Sequence, residues 1–172
     1  MPELVCVLTA EEIDKKVTLL AQKISKDFQG RQLILIGVLK GAFVFLSDLM
    51  RRMTIPVEVD FVQLSSYGDN NTSSGNIILK RDVTSEVQGK DVLVVEDIID
   101  TGLTMTKLIR HLKSFNPNSI RVCSLIDKRE RRKIKCHVDY ACHEVGSGFL
   151  VGYGLDYSEK YRNLPAIHHL IL

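Results

Sequence analysis

The sequence predicts an α/β fold in which a central parallel sheet is flanked by helices. Apolar runs at residues 33–38, 92–95 and 120–126 have the length and β-branched content of strands that are buried on both faces. Segments with helical spacing of apolar residues alternate with these runs along the chain. That alternation is typical of a doubly wound parallel sheet.

The first part of the chain supplies a helix, a strand, a helix and a second strand. Thr9 and Glu12 have the spacing of a capping box, and apolar residues recur at helical spacing as far as Phe28. Residues 43–52 predict a helix whose apolar start belongs either to the core or to an interface. Residues 57–61 alternate between apolar and acidic side chains, so a strand with one wetter face follows.

The second part begins with a polar loop at residues 65–76, which is long enough to suggest a functional role. A short strand at 77–79 follows it. Apolar residues at 105, 108, 109 and 112 then predict an amphipathic helix that ends before Pro117. Further strands are predicted at 138–145 and 149–151.

Composition favours an ordinary globular protein. At 172 residues the chain is most simply one domain, with 45% hydrophobic and 26% charged residues. A net charge of +2 is too small to indicate a nucleic-acid or membrane partner, and no apolar run approaches the length of a membrane span. The N-terminus lacks the features of a signal peptide, so we expect a cytoplasmic protein with reduced cysteines.

The segment 92–104 is the most informative in the chain. A buried strand leads into Glu96 and Asp97, and Asp100 precedes a turn of small residues that opens a helix. In open α/β sheets, ligands bind beyond the carboxyl ends of the strands. A helix N-terminus offers free N–H groups to a phosphate, and carboxylates suit sugar hydroxyls or a metal ion. The segment therefore predicts a site for a phosphorylated sugar.

Other polar residues also follow predicted strands. Lys40 and Gly41 come after the first strand, Lys128 follows the strand at 120–126, and Asp156 and Arg162 follow the last one. Because parallel strands end at one edge of a sheet, we expect these side chains to converge with the acids of segment 92–104.

Four other interpretations are weaker. The pairs Cys136-His137 and Cys142-His143 are about 20 Å apart on an extended strand, too far to share a zinc ion. The basic run 128–133 contains Glu130 and is better explained as a solvated loop than as a nucleic-acid patch. Residues 152–154 lack the third glycine of a dinucleotide fingerprint, and 146–148 lack the spacing of a serine nucleophile elbow.

Two motifs carry a resemblance to a known family. Residues 94–102 read Val-Val-Glu-Asp-Ile-Ile-Asp-Thr-Gly, and residues 149–157 read Phe-Leu-Val-Gly-Tyr-Gly-Leu-Asp-Tyr. In these motifs, and from residue 38 to Arg162, the chain resembles the purine phosphoribosyltransferases. The resemblance implies the type I phosphoribosyltransferase fold, with a core at about 30–145 and a small hood from the terminal segments. It also implies transfer of the phosphoribosyl group from phosphoribosyl pyrophosphate to hypoxanthine or guanine, which yields IMP or GMP and pyrophosphate.

The resemblance also assigns roles to residues of the central motif. Glu96 and Asp97 would hold the ribose hydroxyls, directly or through Mg²⁺, and Asp156 would help to hold a second Mg²⁺. The turn formed by Asp100, Thr101, Gly102, Leu103 and Thr104 would bind the 5′-phosphate. Asp100 would also be the general acid/base at N7 of the purine.

Base and pyrophosphate contacts come from the remaining strand ends. Lys128 would donate to O6, Phe149 would stack on the base, and Leu150 and Asp156 would complete the purine pocket. Lys40, Gly41 and Arg162 would bind pyrophosphate, and many relatives have a cis peptide bond before the lysine. The loop 65–76 would be the lid, with Ser66 and Tyr67 at its leading edge.

Two alternative functions remain open at this point. A nucleotide-sensing regulator that binds RNA or DNA would keep the phosphate motif without needing Lys128, Phe149 and the pyrophosphate residues together. An enzyme that also accepts xanthine would differ only around C2 of the base. The resemblance further implies a homodimer or a homotetramer, with neither a nucleic-acid nor a membrane partner.

Overall fold

The computed structural model describes residues 2–66 and 77–172, and the predicted lid residue Tyr67 lies outside them. The chain order of elements within the described residues is β1 (Glu3–Leu8), α1 (Ala10–Asp27), β2 (Leu33–Leu39), α2 (Phe43–Arg52), β3 (Val57–Ser66), β4 (Ile77–Arg81), β5 (Asp91–Ile99), α3 (Leu103–Lys113), β6 (Ser119–Asp127), β7 (Tyr140–Glu144), β8 (Leu150–Val151) and β9 (Ile167–Ile171).

The larger sheet has the strand order β4-β3-β2-β5-β6-β7. Its strands are parallel except for β4, which pairs antiparallel with β3 at one edge. Side chains alternate between the faces of β5: Leu93 and Val95 pack with α1 and α2, whereas Val92 and Val94 pack with α3. Helices therefore cover both faces, which confirms the predicted α/β fold with a central parallel sheet.

The helices begin where the sequence indicated. Thr9 caps α1, since its hydroxyl accepts from Glu12 N at 3.2 Å and its own N–H donates to Glu12 Oε2 at 2.8 Å. The apolar start of α2 proves to be divided: Phe45 is fully buried in the core, whereas Phe43 is 47% exposed. No helix in the described part of the chain is both long enough and apolar enough to cross a membrane.

A second sheet joins the two ends of the chain as the predicted hood. β1 and β8 both pair antiparallel with β9, in the order β1-β9-β8. Strand β1 was not predicted, and the reason is that four of its six residues are exposed and only Leu8 is buried. His168 and His169 of β9 are both partly buried.

The N-terminal end of β5 is fixed by a cluster of donors around Asp91. Arg31 forms a two-pronged ion pair with the Asp91 carboxylate, with both N···O distances at 2.7 Å. Asn118 and Ser119 donate to the same carboxylate at 2.8 and 2.5 Å. Burial raises the pKa of Asp91, but these donors outweigh burial and bring the pKa below its usual value.

Candidate active site

The crevice of the site opens where β2 and β5 part. β2 pairs with β5 only as far as Val95, whereas β6 continues to pair with β5 up to Ile99. The expectation that Glu96 and Asp97 lie beyond the end of the strand is therefore wrong, because pairing with β6 extends the strand past them. They nevertheless lie beyond the last pairing with β2, in the crevice between two strands whose connections run in opposite directions.

Glu96 and Asp97 form a buried pair of carboxylates. Burial raises the pKa of Glu96 well above its usual value, and the charge of Asp97 adds to the effect. Burial also raises the pKa of Asp97, although Arg162 and hydrogen bonds from its neighbours oppose this. Two carboxylates buried together with so little positive charge are a donor set that suits a hard cation such as Mg²⁺.

Asp97 also determines which residue can occupy position 41. A Cβ atom on Gly41 would lie 1.7 Å from Asp97 Oδ2, so the turn after β2 packs directly on this carboxylate. The peptide bond between Leu39 and Lys40 in the same turn is cis.

The turn between β5 and α3 forms a cradle for an anion. Gly102 precedes α3 with a left-handed φ of 86°, and no side chain caps the helix. Thr101 Oγ1 accepts from Leu103 N at 3.4 Å, and Thr101, Gly102 and Thr104 line a cleft of about 140 Å³ at the start of the helix. Glu96 and Asp100 also line this cleft, so the structure brings four of the five predicted phosphate residues and one ribose carboxylate together, and Leu103 is not part of the lining.

Asp100 occupies the turn with one oxygen atom unused. Its Oδ1 is buried and has no hydrogen-bond partner, whereas Oδ2 forms an ion pair with Arg131 at 3.2 Å. A buried acceptor without a donor is unfavourable by about 1–3 kcal/mol. An oxygen in this state is available to a donor from a ligand.

Lys128 enters the same region from the end of β6. Its backbone N–H donates to Ile99 O at 2.9 Å, and its ammonium group donates to Gly148 O at 2.6 Å. The residue is only 6% exposed, and burial lowers the pKa of its ammonium group while Asp100 opposes the shift. This cation is held in place by the fold and not free in solvent.

The predicted stacking residue Phe149 has one open face. It is 48% exposed, and its ring meets Tyr157 edge to face with the centroids 5.5 Å apart. Leu150, by contrast, is buried in β8 and pairs with His169 of β9. An aromatic ring beside a buried cation can accept a planar base on its exposed side.

Three predicted residues form a cluster beside the Lys40 turn. Arg162 donates to Gly154 O at 2.7 Å and pairs with Asp156 at 3.1 Å, while its Nε is buried without a partner. Glu159 contacts both predicted pyrophosphate cations, Lys40 at 2.9 Å and Arg162 at 3.3 Å. The two cations thus share one internal anion, the carboxylate of Glu159.

Sequence reasoning missed Glu159, Arg131 and Arg132. Glu159 could have been suspected as an acid between the predicted site residues Asp156 and Arg162. Nothing in the spacing of the basic run 128–133 indicated that its arginines turn back onto Asp100.

The remaining predictions concern the lid and metals. Ser66 is the last residue of β3, so it sits at the start of the predicted lid, whereas Tyr67 lies outside the described residues.

No group of three or more His, Cys, Asp or Glu side chains within residues 2–66 and 77–172 could hold a metal ion by itself. Mg²⁺ commonly takes only one or two protein carboxylates, with water and substrate phosphates completing its shell. Glu96 and Asp97 fit that pattern, while Asp156 is engaged by Arg162 and by the N–H of Glu159.

Comparison with known proteins agrees with this geometry. The sequence pattern of the phosphoribosyl transferase domain matches residues 7–158. The hypoxanthine-guanine phosphoribosyltransferase of Bacillus subtilis is 42% identical over 161 residues, which cover 94% of this chain and 89% of that protein.

Solved structures give the same result. A hypoxanthine phosphoribosyltransferase from Staphylococcus aureus superposes with a TM-score of 0.93 at 39% identity, covering 96% of this chain and 90% of that one. A hypoxanthine phosphoribosyl transferase from Trypanosoma cruzi, solved to study how its C-terminal region affects oligomeric state and activity, has a TM-score of 0.90 at 37% identity. It covers 96% of this chain and 90% of its own. These relatives are transferases by name, so they favour the enzyme over the nucleic-acid-binding regulator.

Proposed function

The chain belongs to the phosphoribosyltransferase family, and from that premise we propose that it acts in purine salvage. It transfers the 5-phosphoribosyl group from phosphoribosyl pyrophosphate to N9 of hypoxanthine or guanine. The products are IMP or GMP and pyrophosphate. The observation that carries this proposal is the unpartnered buried oxygen of Asp100 beside the buried ammonium of Lys128.

The proposed reaction assigns each group one task. N9 of the purine bonds to C1′ as the bond from C1′ to the pyrophosphate oxygen breaks, and the proton on N7 passes to Asp100. Lys128 donates to O6, which favours an oxo group over an amino group at C6 because an amino group would place a donor against a donor. The exposed face of Phe149 supports the base, with Leu150 behind it.

The leaving group is proposed to bind at the other end of the site. Lys40, Gly41 and Arg162 accept pyrophosphate once Glu159 releases the two cations, and they stabilise the negative charge that develops there. We propose Mg²⁺ as the cofactor, with one ion held by Glu96 and Asp97 and a second held in part by Asp156. When bound, Mg²⁺ would neutralise diphosphate charge. The segment beginning at Ser66 and Tyr67 is proposed to exclude water from the reacting centre.

The test is the turnover of hypoxanthine, guanine, xanthine and adenine side by side, with phosphoribosyl pyrophosphate and Mg²⁺. We expect efficient nucleotide formation from hypoxanthine and guanine and far slower turnover of adenine, while xanthine turnover would reveal a broader C2 pocket. If no base gives product but the protein is retained on an RNA column, the proposal is wrong.

Asp100 provides a residue-level test. Asp100→Asn should lower kcat by about 10²–10⁴-fold, the usual contribution of a general acid/base, while IMP binding changes much less. Near-normal kcat in this variant would exclude the proposed proton transfer.

We also propose that the protein is a cytoplasmic homodimer or homotetramer. All four cysteines are unpaired, which suits a reducing compartment. Phe43 and Met50 on α2 are exposed beside a groove of about 490 Å³ between α1, α2 and residues 162–165, which suits a second copy of the chain. Light scattering at micromolar concentration should give a multiple of the 19.4 kDa chain mass.

A further inference from the structure

The phosphate turn is held from behind by a segment that takes no part in the proposed chemistry. This segment, residues 129–136, follows Lys128 and leads to the chain that precedes β7. The N–H groups of Lys133 and Ile134 both donate to Thr101 O, at 2.9 and 3.2 Å. A Cβ atom on Gly102 would lie 3.0 Å from Ile134 O and 3.1 Å from the Arg132 side chain, so the turn and the segment are in close contact.

Arg132 is the centre of this contact. Its side chain is 17% exposed and uses three nitrogen atoms in three directions. Nε donates to Asp100 O at 3.0 Å, one terminal nitrogen donates to Cys136 O at 2.7 Å, and the other pairs with Asp127. The guanidinium group therefore joins the turn, the supporting segment and the end of β6.

Asp127 makes the arrangement rigid. It is the last residue of β6, is 1% exposed, and pairs in register with Ile99, the last residue of β5. Its second oxygen accepts from Arg129 at 3.0 Å. Removing one partner from a buried ion pair is strongly unfavourable, so Asp127 holds Arg132 in a single orientation.

The carbonyl groups of the turn thus point outward to fixed donors. With the oxygens of Asp100 and Thr101 held by the supporting segment, the backbone of the turn is fixed at the wall of the cleft. Successive amides in such a conformation form a concave anion site. Fixing the backbone of Asp100 also fixes the start of its side chain, whose free Oδ1 is the proposed proton acceptor.

We propose that Arg132 is a positioning residue for the transferase reaction. Through the carbonyl oxygen of Asp100, it sets both the amide cradle for the 5′-phosphate and the orientation of the Asp100 carboxylate. This inference rests on the proposed function. An arginine is required because its planar guanidinium group donates to three separate acceptors from three different nitrogen atoms. Lysine carries all its N–H donors on a single nitrogen atom and does not span these acceptors.

The test compares Arg132→Met and Arg132→Lys with a matched control, Arg31→Met. Arg31 forms a two-pronged ion pair with Asp91 at the N-terminal end of β5, whereas the cleft lies at the C-terminal end of that strand. The measurements are Tm, kcat, KM for phosphoribosyl pyrophosphate, and the Kd values of IMP and of inorganic pyrophosphate. IMP carries the 5′-phosphate and therefore tests binding at the turn, whereas pyrophosphate tests binding at the cluster of Lys40 and Arg162.

For Arg132→Met we expect IMP binding to weaken and KM to rise by roughly tenfold to a hundredfold, because small misplacements of binding groups have effects of that size. We also expect kcat to fall while the pyrophosphate Kd stays unchanged. Arg132→Lys should recover only part of the loss. Arg31→Met should lower Tm without changing any of these constants.

A second variant keeps the test informative if Arg132→Met does not fold. Asp127→Asn retains the contact of Arg132 with Asp100 O but replaces its charged anchor with a neutral amide, and should shift the same constants in the same direction by less. A fall in Tm with unchanged KM and IMP Kd would overturn the inference, as would an equal weakening of pyrophosphate. Failure of the proposed function is distinguishable, because wild-type protein would then form no IMP.

Discussion

Replacing Lys128 with methionine tests how the site selects its base. Lys128 is 6% exposed, and its ammonium group donates to Gly148 O at 2.6 Å. Methionine fills similar space but donates nothing. The variant therefore removes the proposed bond to O6 while leaving the walls of the pocket in place.

The expected size of the effect follows from the type of bond that is lost. A hydrogen bond from a charged group contributes about 1.5–3 kcal/mol, so kcat/KM for hypoxanthine should fall by roughly 10- to 150-fold. Adenine should lose nothing, since its amino group cannot accept from Lys128. The preference for hypoxanthine over adenine should therefore fall by at least the same factor.

Stability should change much less than activity. Removing Lys128 leaves Gly148 O without its donor, which is unfavourable, but it also removes a cation from a buried position, where burial already lowers its pKa. These effects oppose each other, and we expect the free energy of unfolding to change by no more than about 1 kcal/mol.

The assay measures kcat/KM for hypoxanthine, guanine and adenine at saturating phosphoribosyl pyrophosphate. Lys90→Met is the control, because Lys90 forms an ion pair with Glu58 at 2.9 Å away from the cleft. The reasoning is refuted if Lys128→Met keeps its preference for hypoxanthine over adenine, or if the control loses it to the same degree.

Three further substitutions test other parts of the site and fold. Gly41→Ala places a Cβ atom 1.7 Å from Asp97 Oδ2, so turnover should fall by at least about a hundredfold; near-normal kcat would show that the turn relaxes. Glu159→Gln removes the internal anion of the pyrophosphate cluster, so pyrophosphate should inhibit at a severalfold lower concentration, and an unchanged inhibition constant would contradict the assigned competition. Asp91→Asn should destabilise the protein at pH 7 and flatten its stability in acid. The pKa of Asp91 is lower in the folded protein than its unfolded value of about 3.9, so the ionised carboxylate stabilises the fold at any pH above about 3.9. This stabilisation is lost as the pH falls through the folded-state pKa. Urea unfolding from pH 3 to 7 measures this, and parallel profiles for variant and wild type would show that Asp91 is not responsible.

The sequence determined most of the architecture because its local signals agree with the fold. The bounds of α2, Phe43–Arg52, match the prediction, since its apolar spacing and the turn before it indicate the same start. The length of β5 was underestimated because its polar residues end the apolar run, whereas pairing with β6 continues to Ile99. The spacing of apolar residues indicates which side chains are buried. It does not indicate that backbone pairing between strands continues into a polar crevice.

The site was predictable as a set of residues but not as a set of contacts. Motifs placed Asp100, Lys128 and Arg162 at strand ends, and parallel topology brought those ends together. The attachment of Arg132 to the carbonyl oxygen of Asp100 could not be predicted. A long side chain reaches many acceptors, and the choice among them depends on tertiary structure that spacing does not encode.

The two ends of β5 differ in whether the protein itself supplies hydrogen-bond donors to their carboxyl groups. At its N-terminal end Asp91 is buried, yet donors from Arg31, Asn118 and Ser119 bring its pKa below the usual value. At the other end burial raises the pKa of Glu96 and Asp97, because the fold supplies few donors there. The first end holds a charge that the protein satisfies by itself. The second holds two carboxyl groups that the fold leaves largely unsatisfied, and under the proposed function a cation and sugar hydroxyl groups would satisfy them when the substrate binds.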